Sequence, residues 1–319
     1  MKFSNRLTQC SGICALSLLA GAAVQAQAQP APAITQRAFT SPDDAVKALQ
    51  AATESHDKAT LRLIFGPEID QLQTGDDVQD AGNAQRFAAA LAQGCKPVNE
   101  TADKITLEIG TNDWPMPIPL VKTDGQWRFD TEAGKDEIVN RHIGKDELNA
   151  IGVCRAYVTA QRAYAAANGG TYAQKFKSSP GKKDGLYWPA ADNEPASPFG
   201  PLVAEAHIEG YGQNHSAGPH PFHGYYFRIL TRQGRAASGG KMNYIRDGAL
   251  RDGFALVAYP ERWDQSGIMT FVVNQQGAIY QRNLAEKTQC IAGAMKEFNP
   301  VSGWTLVQDE GVARAAFEK

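Results

Sequence analysis

Apolar residues recur at helical spacing in "SPDDAVKALQAATESHD", where Ala45, Val46, Leu49 and Ala52 share one face. Ser41 is placed to cap that helix, Pro42 fits its first position, and Asp43 and Asp44 suit its positive end. A second helix, "KATLRLIF", stops at the double breaker Gly66-Pro67, and a third runs through "NAQRFAAALAQG" to Gly94. The period then changes to two. "KITLEIG" alternates Ile105, Leu107 and Ile109 inward, and "PIPLVKTDGQWRFD" predicts a hairpin around Thr123-Asp124-Gly125. Further on, "KDELNAIGVCRAYVTAQRAYAAANGG" predicts a long helix with Ile151, Cys154, Val158 and Ala165 on one face. Four strand patterns follow: "GYYFRIL", "GFALVAY", "IMTFVVN" and "AIYQRNL", the last pair joined at Gln275-Gln276-Gly277. Helices before a short antiparallel sheet, then a long helix across a four-stranded antiparallel sheet, make an α+β protein. The expected domains are 39–142 and 143–319, divided near Gly144, where a completed pattern gives way to a new helix, the alternative being that "KDEIVNRHIGKDEL" forms one helix shared by both.

One segment stands apart from this periodicity. Residues 178–222 hold seven of the chain's 17 prolines and one plausible helical turn, "LVAEAHI". An insertion far beyond about 12–15 residues is usually functional or disordered, so this is a place to expect binding. The N-terminal order of elements is similar to the cone-shaped α+β fold of nuclear-transport-factor-like and polyketide-cyclase-like domains. Such folds often enclose a pocket, which Trp114 and Trp127 would either line or leave as ordinary core residues.

The first 28 residues read as a secretory signal peptide: Lys2 and Arg6, an apolar run from Gly12 to Val24, then Ala26-Gln27-Ala28. That run is shorter than the roughly 20 residues needed to span a bilayer, so stable membrane insertion after cleavage is not expected. A disordered leader at 29–38 would follow, and the mature protein would be periplasmic or secreted. Losing Lys2 and Arg6 moves the formal charge from −2 to −4 (−2 minus 2). A mildly acidic chain without a basic cluster argues against nucleic acid as partner. Three cysteines remain, Cys95, Cys154 and Cys290. An oxidising compartment permits one disulfide among them, with Cys154–Cys290 favoured because both fall in one expected domain, or three free thiols.

Candidate chemistry is sparse. His215, His220 and His223 lie in "NHSAGPHPFHGYY" and are the only metal-ligand candidates, since three neutral imidazoles suit zinc or copper. Their spacing, with Pro219 and Pro221 interposed, is not a helical pair. The reading preferred here is therefore no required metal, with His223 leading into the strand that follows. No G-x-S-x-G elbow occurs, and "SGGK" at Ser238–Lys241 lacks phosphate-loop spacing. No cofactor is expected and no catalytic residue is nominated.

The blocks "DWPMPIPLVKTDGQWRFDTEAGKDEIVNRHIG", "ELNAIGVCRAYVTAQRAYA", "YAQKFKSSPGKKDGLYWP", "SPFGP", "HGYYFRILTRQG", "GFALVAYP" and "SGIMTFVVNQQGAIYQRNL" occur in order. Together they resemble the bacterial family called domain of unknown function 2950. That resemblance implies an exported, mostly Gram-negative protein and brings no catalytic residues with it. The C-terminal half also resembles the globular head of pilin-like proteins. Charged "GKDEIVNRHIGKDE" stands where a pilin's apolar stem would be, so this likeness implies a fold and not filament assembly. The expected function is a non-catalytic exported envelope protein, a binding or assembly module for an unidentified envelope protein or small ligand. The alternative is an enzyme or small-ligand binder using a pocket in the N-terminal domain or at the domain junction.

Overall fold

The structure is a computed structural model that describes residues 35–191, 194–209, 211 and 220–308. The expected signal peptide and His215 lie outside these residues. The N-terminal half begins with α1 (Pro42–Glu54), where the Ser41 hydroxyl accepts from the Asp44 N–H and Ala45, Val46, Leu49 and Ala52 are buried. Helix α2 (Lys58–Phe65), capped by Asp57, runs into Gly66 and the 3-10 turn Pro67–Leu72. Helix α3 (Asp77–Gln93) is capped by Asp76. Strands β1 (Cys95–Thr101), β2 (Lys104–Ile109), β3 (Trp114–Pro115), β4 (Leu120–Thr123) and β5 (Gln126–Phe129) form one antiparallel sheet. Within it β3 and β4 share one edge of β2, and β1 takes the other. Ile105, Leu107 and Ile109 point inward against Leu49, Ile64, Leu91 and Phe129.

Helix α4 (Thr131–Ala167) is 37 residues long, about 55 Å at 1.5 Å per residue. It runs unbroken through the expected boundary at 142/143. Its first turns serve the N-terminal half: Ile138 packs on that core, and Gly134 passes so close to Pro117 that an added Cβ would lie 2.6 Å from its carbonyl oxygen. Its second half serves the C-terminal core through Ile151, Cys154, Tyr157 and Val158. Gly144 is tolerated inside the helix because packing on both sides outweighs its roughly 1 kcal/mol propensity cost.

The chain then passes through α5 (Gly200–Ile208), which contains the expected "LVAEAHI" turn. The second sheet comprises β6 (Tyr225–Leu230), β7 (Ala255–Pro260), β8 (Met269–Asn274), β9 (Ile279–Asn283) and β10 (Thr305–Leu306). It is a five-stranded antiparallel sheet ordered β10-β9-β8-β7-β6. The four expected strands are therefore joined by a fifth, Thr305–Leu306, paired to Tyr280 and Gln281. Leu256, Ala258, Phe271 and Val273 face α4, whereas Ala255, Val257 and Val272 pack on Tyr244, Ala292 and Phe298. Both faces of the sheet are covered, which explains why "ALVAY" is apolar without alternation.

The cysteines correct the favoured disulfide. All three are free thiols. Cys154 is wholly buried between α4 and the sheet. Cys290 sits exposed on α6 (Thr288–Ala294), whose Ala292 packs against the opposite face, so the sheet stands between the two sulfurs.

Candidate functional site

Two regions hold groups out of their ordinary state. The first is polar and lies where α3, α4 and the turn before β6 meet. Asp76 is 2% exposed and works as a knot. Its Oδ1 accepts from the N–H groups of Val78 and Gln79, each at 3.1 Å. Its Oδ2 accepts from the Tyr211 hydroxyl at 2.6 Å and from the Gly224 N–H at 3.2 Å. The Tyr211 oxygen in turn accepts from the His223 N–H at 3.1 Å. His223 and Gly224 both take positive φ, 46° and 68°. Phe222 and Tyr225 exchange backbone hydrogen bonds around them, a two-residue turn feeding β6.

His223 thus has a definite place. Its Nε2 lies 2.8 Å from Glu209 Oε2, and its Nδ1 is buried without a partner. Burial holds its pKa below the usual histidine range, opposed by Glu209. His220 lies two residues before this turn, and among the described residues no three metal-ligating side chains gather.

Asp146 is the residue the sequence reading passed over. It lies on α4, fully buried, with Oδ1 accepting from Gln79 Nε2 at 2.5 Å and Oδ2 unpartnered. Burial, reinforced by Asp76, lifts its pKa to about 8 even though the Gln79 hydrogen bond works against the rise. A Cβ on Gly224 would come within 2.8 Å of Asp146 Oδ2, so only glycine admits the carboxyl there. The signal was present: Asp146 is three residues after Ile143 and four before Ala150, on the buried stripe of the helix. Perturbed acids often mark catalysis, but structural networks perturb them too. Here the shifted atoms, Asp146 Oδ2 and His223 Nδ1, are closed off from solvent. The cluster is a clasp between the two halves. A cleft of about 370 Å³ lies beside it, lined by Gln79, Arg86, Lys145, Glu209 and Tyr211.

The second region is an apolar cavity of about 440 Å³ in the N-terminal half. Phe65, Met116 and Ile118 form its buried floor. Ile69 and Leu72 of the 3-10 turn, Phe87 of α3 and Ile138 of α4 supply walls. The exposed side chains Arg86, Arg141 and Trp114 stand at its rim with Asn83 and His142. The Arg141 guanidinium lies 5.9 Å from the centre of the Trp114 ring. Burial lowers the pKa of His142, partly countered by Asp80. Trp114, at 37% exposure, lines this cavity, whereas Trp127 at 7% belongs to the core. The volume lies in the range of small-molecule sites, about 300–1,000 Å³, and the apolar lining with few polar groups is their usual composition.

The chain matches no curated protein and no solved structure. The profile of one family, proteins of unknown function designated DUF2950, matches residues 36–307. That span includes the cavity, the clasp and both sheets, and the chain belongs to the DUF2950 family.

Proposed function

We propose that the protein is an exported envelope protein that binds a small apolar molecule in its N-terminal cavity, without performing chemistry on it. The observation that carries this reading is the cavity itself, with a buried floor of Phe65, Met116 and Ile118 left unfilled by the protein's own side chains. The pocket opens to solvent at its rim, so its apolar walls face water, and a bound apolar molecule that covers them gains roughly 25 cal/mol per Å² of apolar surface removed from water. Export is supported by the charged, apolar and small-residue order of the first 28 residues. Among the described residues, no helix is long and apolar enough to cross a membrane. We read the C-terminal half, a long helix laid on an antiparallel sheet in keeping with a pilin-like head, as the scaffold that holds α4 in place.

The test is saturable binding of an uncharged, environment-sensitive naphthylamine fluorophore. Emission should rise in the wild type and fail to rise in Ile138→Trp or Ile69→Trp, which fill the cavity from two different walls. Thermal melts identify variants that remain folded. Undiminished emission from a folded filled variant would contradict the reading.

A further inference from the structure

We propose that the occupant of this cavity is a single-chain carboxylate of the fatty-acid class, its chain on the apolar floor and its carboxylate at the rim between Arg86 and Arg141. This inference rests on the cavity reading and adds the identity of the head group.

The rim provides the reason. Two guanidinium groups reach it from two helices, Arg86 from α3 and Arg141 from α4. Arg141 pairs with Glu137 one turn earlier on its own helix, at an exposed site where such a pair is weak. Among the described residues, Arg86 is bonded to a neutral group, the Asn83 amide oxygen, at 2.6 Å. Among the described residues no carboxylate pairs with Arg86, which leaves most of its five N–H donors without a protein acceptor. The acid closest in sequence to Arg86, Asp80, accepts through Oδ1 from both the N–H and the hydroxyl of Thr74. His142 adds an imidazole to the rim whose charged form burial disfavours, against the pull of Asp80. The rim therefore carries two cations and one paired acid, with Asp80 a second carboxylate within electrostatic reach of His142.

An anionic head suits this arrangement and a cationic head is repelled by it. An uncharged head leaves Arg86 unmatched. A guanidinium's planar fork matches a carboxylate in particular, because two parallel N–H···O bonds can form. The remaining walls have nothing polar to offer a second head group or a sugar: Ile69, Leu72, Phe87 and Ile138 are all apolar. A volume of about 440 Å³ sits in the lower half of the small-molecule range, which favours one chain over a two-chain lipid.

The experiment is displacement of the bound naphthylamine fluorophore by laurate and by lauryl alcohol, which share a chain and differ in the head. At low salt and neutral pH, laurate should displace at roughly tenfold lower concentration, the scale of one hydrogen bond to a charged group. That advantage should shrink in high salt. It should largely disappear in the double variant Arg86→Gln with Arg141→Gln, both at exposed positions, read as the ratio of the laurate and lauryl alcohol displacement concentrations so that any change in fluorophore affinity cancels. If the alcohol displaces as well as the acid, or the double variant responds to laurate like the wild type, the carboxylate assignment is overturned and the apolar cavity reading stands. If the fluorophore does not bind the wild type at all, both fall together.

Discussion

Replacing Asp146 by asparagine should stabilise the protein at neutral and alkaline pH, the reverse of what removing a buried, hydrogen-bonded group usually does. In the folded chain the carboxyl holds its proton up to about pH 8, against an ordinary value of 3.8. Between those two values the folded state binds one more proton than the unfolded state, so stability falls as pH rises across that window and levels off above it. The slope from this one group is about 1.4 kcal/mol per pH unit. At pH 7 the accumulated cost is about 4 kcal/mol. Asparagine carries no charge and keeps an Oδ1 acceptor for Gln79 Nε2. Its amide nitrogen, placed where Oδ2 now has no partner, forfeits roughly 1–3 kcal/mol as an unsatisfied donor. The net gain at pH 7 should be about 1–3 kcal/mol, vanishing or reversing near pH 5. Urea denaturation of both proteins from pH 5 to pH 9 provides the comparison. Parallel stability profiles would refute the argument, because they would mean that Asp146 titrates alike folded and unfolded.

Tyr211→Phe should cost about 2 kcal/mol by urea denaturation, since it strips an acceptor from the His223 N–H and a donor from buried Asp76 Oδ2. Gly224→Ala should cost at least as much, because a φ of 68° and a Cβ 2.8 Å from both Asp146 Oδ2 and Ser266 Cβ leave no room for relaxation. Thiol labelling of the unreduced native protein should modify Cys290 readily, and Cys154 only after denaturation, with the two sulfurs never found joined. A disulfide-linked Cys154–Cys290 peptide would contradict the sheet's position between them.

What could be read from the sequence divides along physical lines. Helix α1 and strands β2 and β6 to β9 were legible because each presents a periodic apolar face or an apolar run bounded by turn residues. Strand β1 was not, because six of its seven residues are exposed and neither face alternates. Strand β10 is two exposed residues held by pairing to β9, a tertiary effect that no local pattern carries. The continuity of α4 was open as an alternative over "KDEIVNRHIGKDEL" but obscured by Gly144 and a run of charges, although partly buried Ile138 and buried Ile143 carry the apolar stripe across it. The cavity eluded motif reading because its lining comes from the 3-10 turn, α3, the β3–β4 connection and α4, which meet only in the fold. Asp146 was legible in principle and overlooked, since "KDEL" on a helix looks like a solvated face until its register is counted. His223 is held at the clasp by tertiary contacts, through Glu209 and Tyr211.

The most direct test of a ligand site in the N-terminal half is crystallographic. Crystals grown with a chain-brominated laurate, measured at the bromine absorption edge, should show an anomalous peak beside Phe65, Met116 and Ile118, with carboxylate density between Arg86 and Arg141. Bromine found only on the outer surface, or an apolar floor closed by repacked side chains, would contradict it.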